Sequence, residues 1–230
     1  MKYLLQRYQV PYSLLGGCVH KVAIDDAELS IHYMNLLSQH DYAAQVVAFD
    51  KARSVIEIGG GFGVNIHLLL TNYPNIRKVI YLDIPPNLYV GTQYLRAFYG
   101  ASVVDYREVS RRNSLAFGSN DDLEIFCIAP WQVELLTDEA DIFINSHSFV
   151  EMPKFVVKNY AEKAVERFAS GKSAIVLTSY TGFDLNTTFH PDELPAFFPS
   201  RRDFKKVPGA SLTDVSRDDW IYVSSGQFAR

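Results

Sequence analysis

The sequence predicts one α/β domain: a mostly parallel β-sheet covered by helices on both faces and closed at one edge by a C-terminal antiparallel hairpin. Three observations predict it. Short, continuously apolar runs alternate with segments of helical periodicity, the pattern of strands buried on both faces. One such run passes directly into a loop with glycine at 59, 60, 61 and 63, which opens a helix. The last two strand-like runs, residues 203–207 and 220–224 (WIYVS), have no strong helix pattern between them and read as a hairpin.

The elements follow in order. Asp25 or Asp26 is read as the cap of a helix running to about Lys51, with Ile31, Met34, Leu36 and Leu37 at helical spacing. Residues 1–50 are therefore expected to form a helical cap or lid ahead of a domain over 51–230. Residues 54–58 (SVIEI) read as the first strand of that domain, and 64–72 as a helix closed by Tyr73 and Pro74. A second strand is expected over 78–83 (KVIYLD) and a helix over 87–99, ending at Gly100. Residues 102–107 and the more apolar 123–128 (LEIFCI) read as strands, the latter stopped by Pro130. A strand over 140–145 (ADIFIN) precedes a long helix over 153–170, with Val156, Val157, Tyr160 and Ala164 on one side. Residues 172–179 (KSAIVLTS) complete the buried strands. In such sheets ligands bind beyond the carboxyl ends of the strands, so the chemistry is sought in the loops that follow them.

Composition narrows the function classes. A chain of 230 residues, 48% hydrophobic and 21% charged, has the balance of a globular protein with a sizeable core. The net charge of −4, without a basic cluster, argues against a nucleic-acid partner. No run approaches the roughly 18 apolar residues of a membrane span, and the start MKYLLQRYQV lacks the apolar stretch of a signal peptide. A cytoplasmic protein with reduced thiols at Cys18 and Cys127 is the expectation. No HxxxH or CxxC spacing points to a metal, and none is assigned.

The glycine loop carries the strongest chemical signal. Glycines in a strand-to-helix turn permit a tight bend and let a ligand lie against the backbone. The dinucleotide fingerprint asks for glycine or alanine at its sixth position, and counting from Gly59 that position holds Val64. The pattern present is Glu57-x-Gly59-x-Gly61-x-Gly63, with Gly60 between. An acid set two residues ahead, inside an apolar strand, suits a ligand with a cationic ammonium group. Asp83 closes the next strand, where a carboxylate can accept from both hydroxyls of a ribose. Residues 141–152 (DIFINSHSFVEM) then place polar groups directly after another strand, among them His147, which can take a proton near neutral pH.

Together EIGGGFG, LDIPPNLY and NSHSFVEM resemble the class I S-adenosylmethionine-dependent methyltransferases, and within them a bacterial family of sugar O-methyltransferases. The resemblance covers about residues 50–180. It implies a Rossmann-like class I methyltransferase fold with a mostly parallel seven-stranded sheet and a C-terminal antiparallel hairpin. It implies S-adenosylmethionine as cofactor, held by Glu57, Gly59, Gly60, Gly61, Gly63, Asp83, Ile84, Pro130, Trp131, Gln132 and Asn145. In that setting Trp131 either stacks on the adenine or simply packs, and Gln132 reaches a ring nitrogen. The acceptor is a small molecule or saccharide whose hydroxyl takes the methyl group.

His147 is then the candidate general base, with Glu151 orienting its ring if a helix starts between them. The alternative is a hydrogen-bonded structural histidine and an acid that merely favours a helix N-terminus. Ser148, Tyr180 and His190, with Asp184, are candidates for the acceptor pocket. Relatives carry more sequence ahead of the cofactor domain, so a homodimer completing the acceptor site stands beside the lid as an expectation. Three other readings stay open: methyl transfer to a phenol, amine or carboxylate; a nicotinamide-dependent oxidoreductase, disfavoured by Val64 and Glu57; and a non-catalytic nucleoside-binding protein.

Overall fold

The structure is a computed structural model and describes residues 1–10, 14–15, 18–165, 172–180, 187–201, 203–208 and 219–230. A small hairpin of β1 (Lys21–Ile24) and β2 (Ala27–Ser30) precedes the main sheet. That sheet holds β3 (Ser54–Ile58), β4 (Lys78–Leu82), β5 (Val103–Val104), β6 (Glu124–Ile128), β7 (Ile142–Ser146), β8 (Ala174–Tyr180), β9 (Lys205–Pro208) and β10 (Asp219–Ser224). Their order is β5-β6-β4-β3-β7-β8-β10-β9. The strands from β5 to β8 pair in parallel, and β10 pairs antiparallel with both β8 and β9, so the expected closing hairpin is present. After β3 the chain builds toward β4, then crosses to the other side at β7. The carboxyl ends of β3, β4 and β7 therefore border a topological switch point, where open α/β sheets bind ligands.

Two apolar layers follow from the period of two along each strand. Val55 and Ile144 face one side with Leu36, Leu37, Leu68, Leu88 and Leu95. These come from α2 (Ile31–Ala44), α3 (Val64–Asn72) and α4 (Pro85–Tyr99), and Leu4 of α1 (Lys2–Arg7) joins them. Ile56, Ile58 and Phe143 face the other side. There they meet Phe149 of α6 (Ser148–Glu151) and Val157 and Tyr160 of α7 (Lys154–Tyr160). Phe143 is 1% exposed and lies 6.2 Å from the Phe149 ring. Truncating a phenylalanine so placed costs about 3–5 kcal/mol.

Several elements differ from the sequence reading. Asp25 and Asp26 form the turn of the β1–β2 hairpin, Asp25 at φ 52°, a conformation aspartate tolerates better than most residues. The cap of α2 is Ser30, whose Oγ accepts from the Tyr33 N–H at 3.3 Å, and the helix ends at Ala44. Helix α4 starts at Pro85, two residues early, because prolines fit the first turn, where no N–H is needed. Within 102–107 only Val103–Val104 pair; Asp105 then caps α5 (Tyr106–Val109), accepting from the Arg107 N–H at 2.9 Å. The sheet has eight strands, where the family resemblance implies seven. The helix expected over 153–170 runs as α7 and a π-helical turn, Ala161–Val165; residues 166–170 lie outside the described residues. Cys18 and Cys127 are both free thiols. No helix among the described residues is long and apolar enough to cross a membrane.

Candidate functional site

The glycine loop bends sharply out of β3. Gly59 has φ 74°, and a Cβ there would lie 2.0 Å from Ser148 Oγ, so the position excludes any side chain. Gly61 has φ 59° with nothing within 4 Å of where its Cβ would stand, so the loop presents bare backbone to open space. The Gly61 N–H donates to Asp83 Oδ2 at 2.7 Å, and Tyr81 donates its hydroxyl to the Gly61 carbonyl. The other carboxylate oxygen, Oδ1, accepts from the Ile84 N–H at 2.7 Å and from Asn87 Nδ2 at 3.3 Å. Burial pushes the Asp83 carboxyl above its usual range, against the pull of these donors.

Glu57 sits beneath the loop and is wholly buried. Its Oε1 accepts from Asn65 Nδ2 at 2.7 Å, while Oε2 has no hydrogen-bond partner among the described residues. Desolvation raises its carboxyl to about 7; Asp83 adds to the rise and the Asn65 bond opposes it. A carboxylate so placed is poised to take a cation.

The segment after β7 completes the site. Asn145, 1% exposed, donates to the Ile58 carbonyl at 2.8 Å and Ser148 Oγ at 2.6 Å, and accepts from the Phe149 N–H at 3.1 Å. Its polar atoms thus tie β7 to β3 and start α6. His147 holds φ 71°, a strained value for a residue with a Cβ. Its N–H donates to the Thr178 carbonyl at 2.8 Å, its Nε2 lies 2.9 Å from Gln39 Nε2, and its ring stands edge-on to Tyr180 at 5.5 Å. Helix α6 does start between His147 and Glu151, and Glu151 accepts from the Tyr180 hydroxyl at 2.7 Å.

A cavity of about 350 Å³ is bordered by Gly59, Gly61, Asp83, Ile84, Ser148 and Glu151, with His147 at its wall. A smaller one of about 120 Å³ shares Gly59, Gly61 and His147 and adds Glu57, Gly60 and His32. The structure thereby brings together residues 57–61, 83–84 and 145–151. Gly63 caps α3 beside them. The 130–132 segment forms a helical turn outside both cavities: Gln132 is buried, its Oε1 accepting from the Ala129 N–H at 2.8 Å and its Nε2 donating to the Tyr106 carbonyl at 3.0 Å. Its amide is thus engaged by backbone, whereas Trp131 is 69% exposed. His190 also stands apart. It is exposed, caps the Pro191–Phe197 turn and lies edge-on to Trp220 at 5.0 Å. Asp184 lies outside the described residues.

Two site residues escaped the sequence reading. Asn87 lies one helical turn after Asp83, a spacing that was visible in LDIPPNLY. Gln39 has no local signal, since 108 residues separate it from His147.

No family model matches the chain, and no curated protein matches it in sequence. Solved structures do. The S-adenosylmethionine-dependent methyltransferase SibL, in its apo form, is similar over 98% of this chain and 67% of its own, at 15% identity and TM-score 0.56. Human N-acetylserotonin methyltransferase in complex with S-adenosylmethionine is similar over 85% of this chain and 53% of its own, at 12% identity and TM-score 0.54. The O-methyltransferase NcsB1 of neocarzinostatin biosynthesis, in complex with S-adenosylhomocysteine and 1,4-dihydroxy-2-naphthoic acid, is similar over 84% of this chain and 53% of its own, at 12% identity and TM-score 0.51. The chain thus spans about half to two thirds of these structures. Its fold is that of the class I S-adenosylmethionine-dependent methyltransferases.

Proposed function

We propose that this chain is an S-adenosylmethionine-dependent O-methyltransferase acting on a hydroxyl of a small molecule. One observation carries the reading: the bare backbone at Gly61, the Asp83 carboxylate and the His147 ring border a single cavity at the switch point of the sheet. The chemistry of the site fits the cofactor. Glu57 offers an ammonium group a buried carboxylate oxygen that has no partner among the described residues. Asp83 offers carboxylate oxygens to ribose hydroxyls, and Gly61 leaves space where any other residue would place a side chain.

Glu57, the loop from Gly59 to Gly63, Asp83 and Ile84 would hold the cofactor, with Trp131 the remaining candidate for the adenine. When bound, S-adenosylmethionine would supply an electrophilic methyl on a sulfonium, with a neutral thioether as the leaving group. His147 would take the proton that the acceptor hydroxyl gives up as its oxygen bonds the methyl carbon, imidazole being the side chain suited to that near neutral pH. Asn145 ties the strand ahead of His147 to Ile58 and accepts from the Phe149 N–H after it. Residues 1–50 act as a cap: Gln39 touches His147, and His32 and Leu36 line the smaller cavity.

For the acceptor we propose a saccharide hydroxyl, on the likeness of NSHSFVEM to sugar O-methyltransferases. A phenolic hydroxyl is the second reading, favoured by the dihydroxynaphthoate bound in NcsB1. Calorimetric titration with S-adenosylhomocysteine, with NAD as control, tests the cofactor. Micromolar binding of the first alone is expected, and binding of NAD instead overturns the reading. A screen of sugar and phenolic acceptors for methyl incorporation then decides the class.

A further inference from the structure

We infer that Gln39 is a positioning residue that sets which ring nitrogen of His147 carries the proton; its catalytic meaning rests on the reading of His147 as the base. Gln39 projects from α2 and is 3% exposed. Its Nε2 stands 2.9 Å from His147 Nε2, while its Oε1 is buried with no partner among the described residues. In that arrangement the amide donates to Nε2, the ring proton sits on Nδ1, and a buried carbonyl oxygen is left unsatisfied.

Rotating the amide by half a turn exchanges its oxygen and nitrogen without changing its shape. Oε1 then accepts from His147 Nε2–H, and Nδ1 keeps the lone pair that a general base requires. The same contact suits the ring after it has taken a proton. An imidazolium has an N–H on both nitrogens, and a carbonyl oxygen accepts from Nε2–H in either state, whereas an amide N–H would oppose the charged one.

The rotated amide also has a partner for its freed N–H. A small, otherwise largely apolar cavity of about 20 Å³ has Gln39, Asn65, Ser146 and Thr178 in its lining. That is room for one water, which needs roughly 10–15 Å³. Thr178 Oγ1 is buried and, like Gln39 Oε1, has no partner among the described residues. A water here joins the Gln39 N–H to Thr178 Oγ1, while the Thr178 carbonyl already accepts from the His147 N–H. Thr178 thus holds the backbone of His147 directly and its ring through Gln39.

The test is ¹⁵N NMR of the imidazole in the 230-residue protein near neutral pH, with His147→Ala assigning the signal. The wild type is expected to carry its proton on Nε2 as a slowly exchanging resonance. Gln39→Glu, which keeps an acceptor, preserves that resonance, and Gln39→Leu loses it. Affinity for S-adenosylhomocysteine stays within about twofold in both variants. With an acceptor found in the screen, turnover falls about 10- to 100-fold in Gln39→Leu at unchanged KM, the scale of a hydrogen bond to a charged group. A wild-type proton on Nδ1, or a Gln39→Leu spectrum like the wild type, overturns the inference. Full turnover in His147→Ala would remove the base and leave the spectra to decide the role of Gln39 alone.

Discussion

Asn145, near the end of β7, donates its side-chain amide to the backbone carbonyl of Ile58, the last residue of β3, at 2.8 Å. The two strand ends are tied where the glycine loop begins. Asn145→Leu keeps the approximate size, removes the donors and leaves a buried carbonyl and the Phe149 N–H without that partner. A loss of about 2–4 kcal/mol is expected. At roughly 2–4 °C per kcal/mol for a chain of this length, the melting temperature falls by about 5–15 °C. Calorimetry that finds it unchanged would show that the tie contributes nothing.

Glu57 makes stability depend on pH in a stated direction. Its folded carboxyl is raised to about 7 from 4.5, so the folded state holds this proton more tightly than the unfolded state. Stability from this group falls as pH rises from about 4.5 to 7 and stays low above that, by on the order of 3 kcal/mol. His40 works the other way: burial lowers it to about 3, so its neutral form supports the fold at neutral pH and that support is lost in acid. Comparison with Glu57→Gln isolates the carboxyl. The variant should melt higher than the wild type at pH 8, converge with it at pH 5, and bind S-adenosylhomocysteine more weakly. Parallel melting curves at every pH would refute the burial of an ionised Glu57.

The cofactor loop is tested by two substitutions with different mechanisms. Gly61→Arg fills the open space beside a positive-φ backbone and should abolish S-adenosylhomocysteine binding. Asp83→Asn keeps an oxygen for the Gly61 N–H but removes the charge, and should weaken binding about 10- to 100-fold. Titration calorimetry reads both, and wild-type affinity in either would exclude this loop as the cofactor site.

His147 keeps a strained backbone that a glycine would adopt freely. His147→Gly should slow turnover by roughly 10²–10⁴-fold, the range for a lost general base. Its melting temperature should stay within about 3 °C, because relief of strain offsets the lost ring contacts. Near-normal turnover would place proton removal elsewhere.

What the sequence determined by itself was local. SVIEI followed by four glycines is a strand, a turn and a helix start, and the close of β4 at Asp83 is marked by the change from KVIYL to a charge and two prolines. Each signal needs only neighbours a few residues away, and backbone sterics decide them. The Asp25–Asp26 turn was misread because an acid before an apolar segment serves a helix cap and a hairpin turn alike; pairing of Lys21 with Ser30 across the hairpin settles it. The approach of Asn145 to Ile58, of Gln39 to His147 and of Glu151 to Tyr180 belongs to the tertiary structure. Those partners are 87, 108 and 29 residues apart, and no periodicity relates them. They meet because the chain crosses from one side of β3 to the other and because α2 packs its apolar side on the same sheet face as Ile144. Burial then does what sequence cannot encode locally: it raises Glu57 and holds His147 in a conformation it would not take alone.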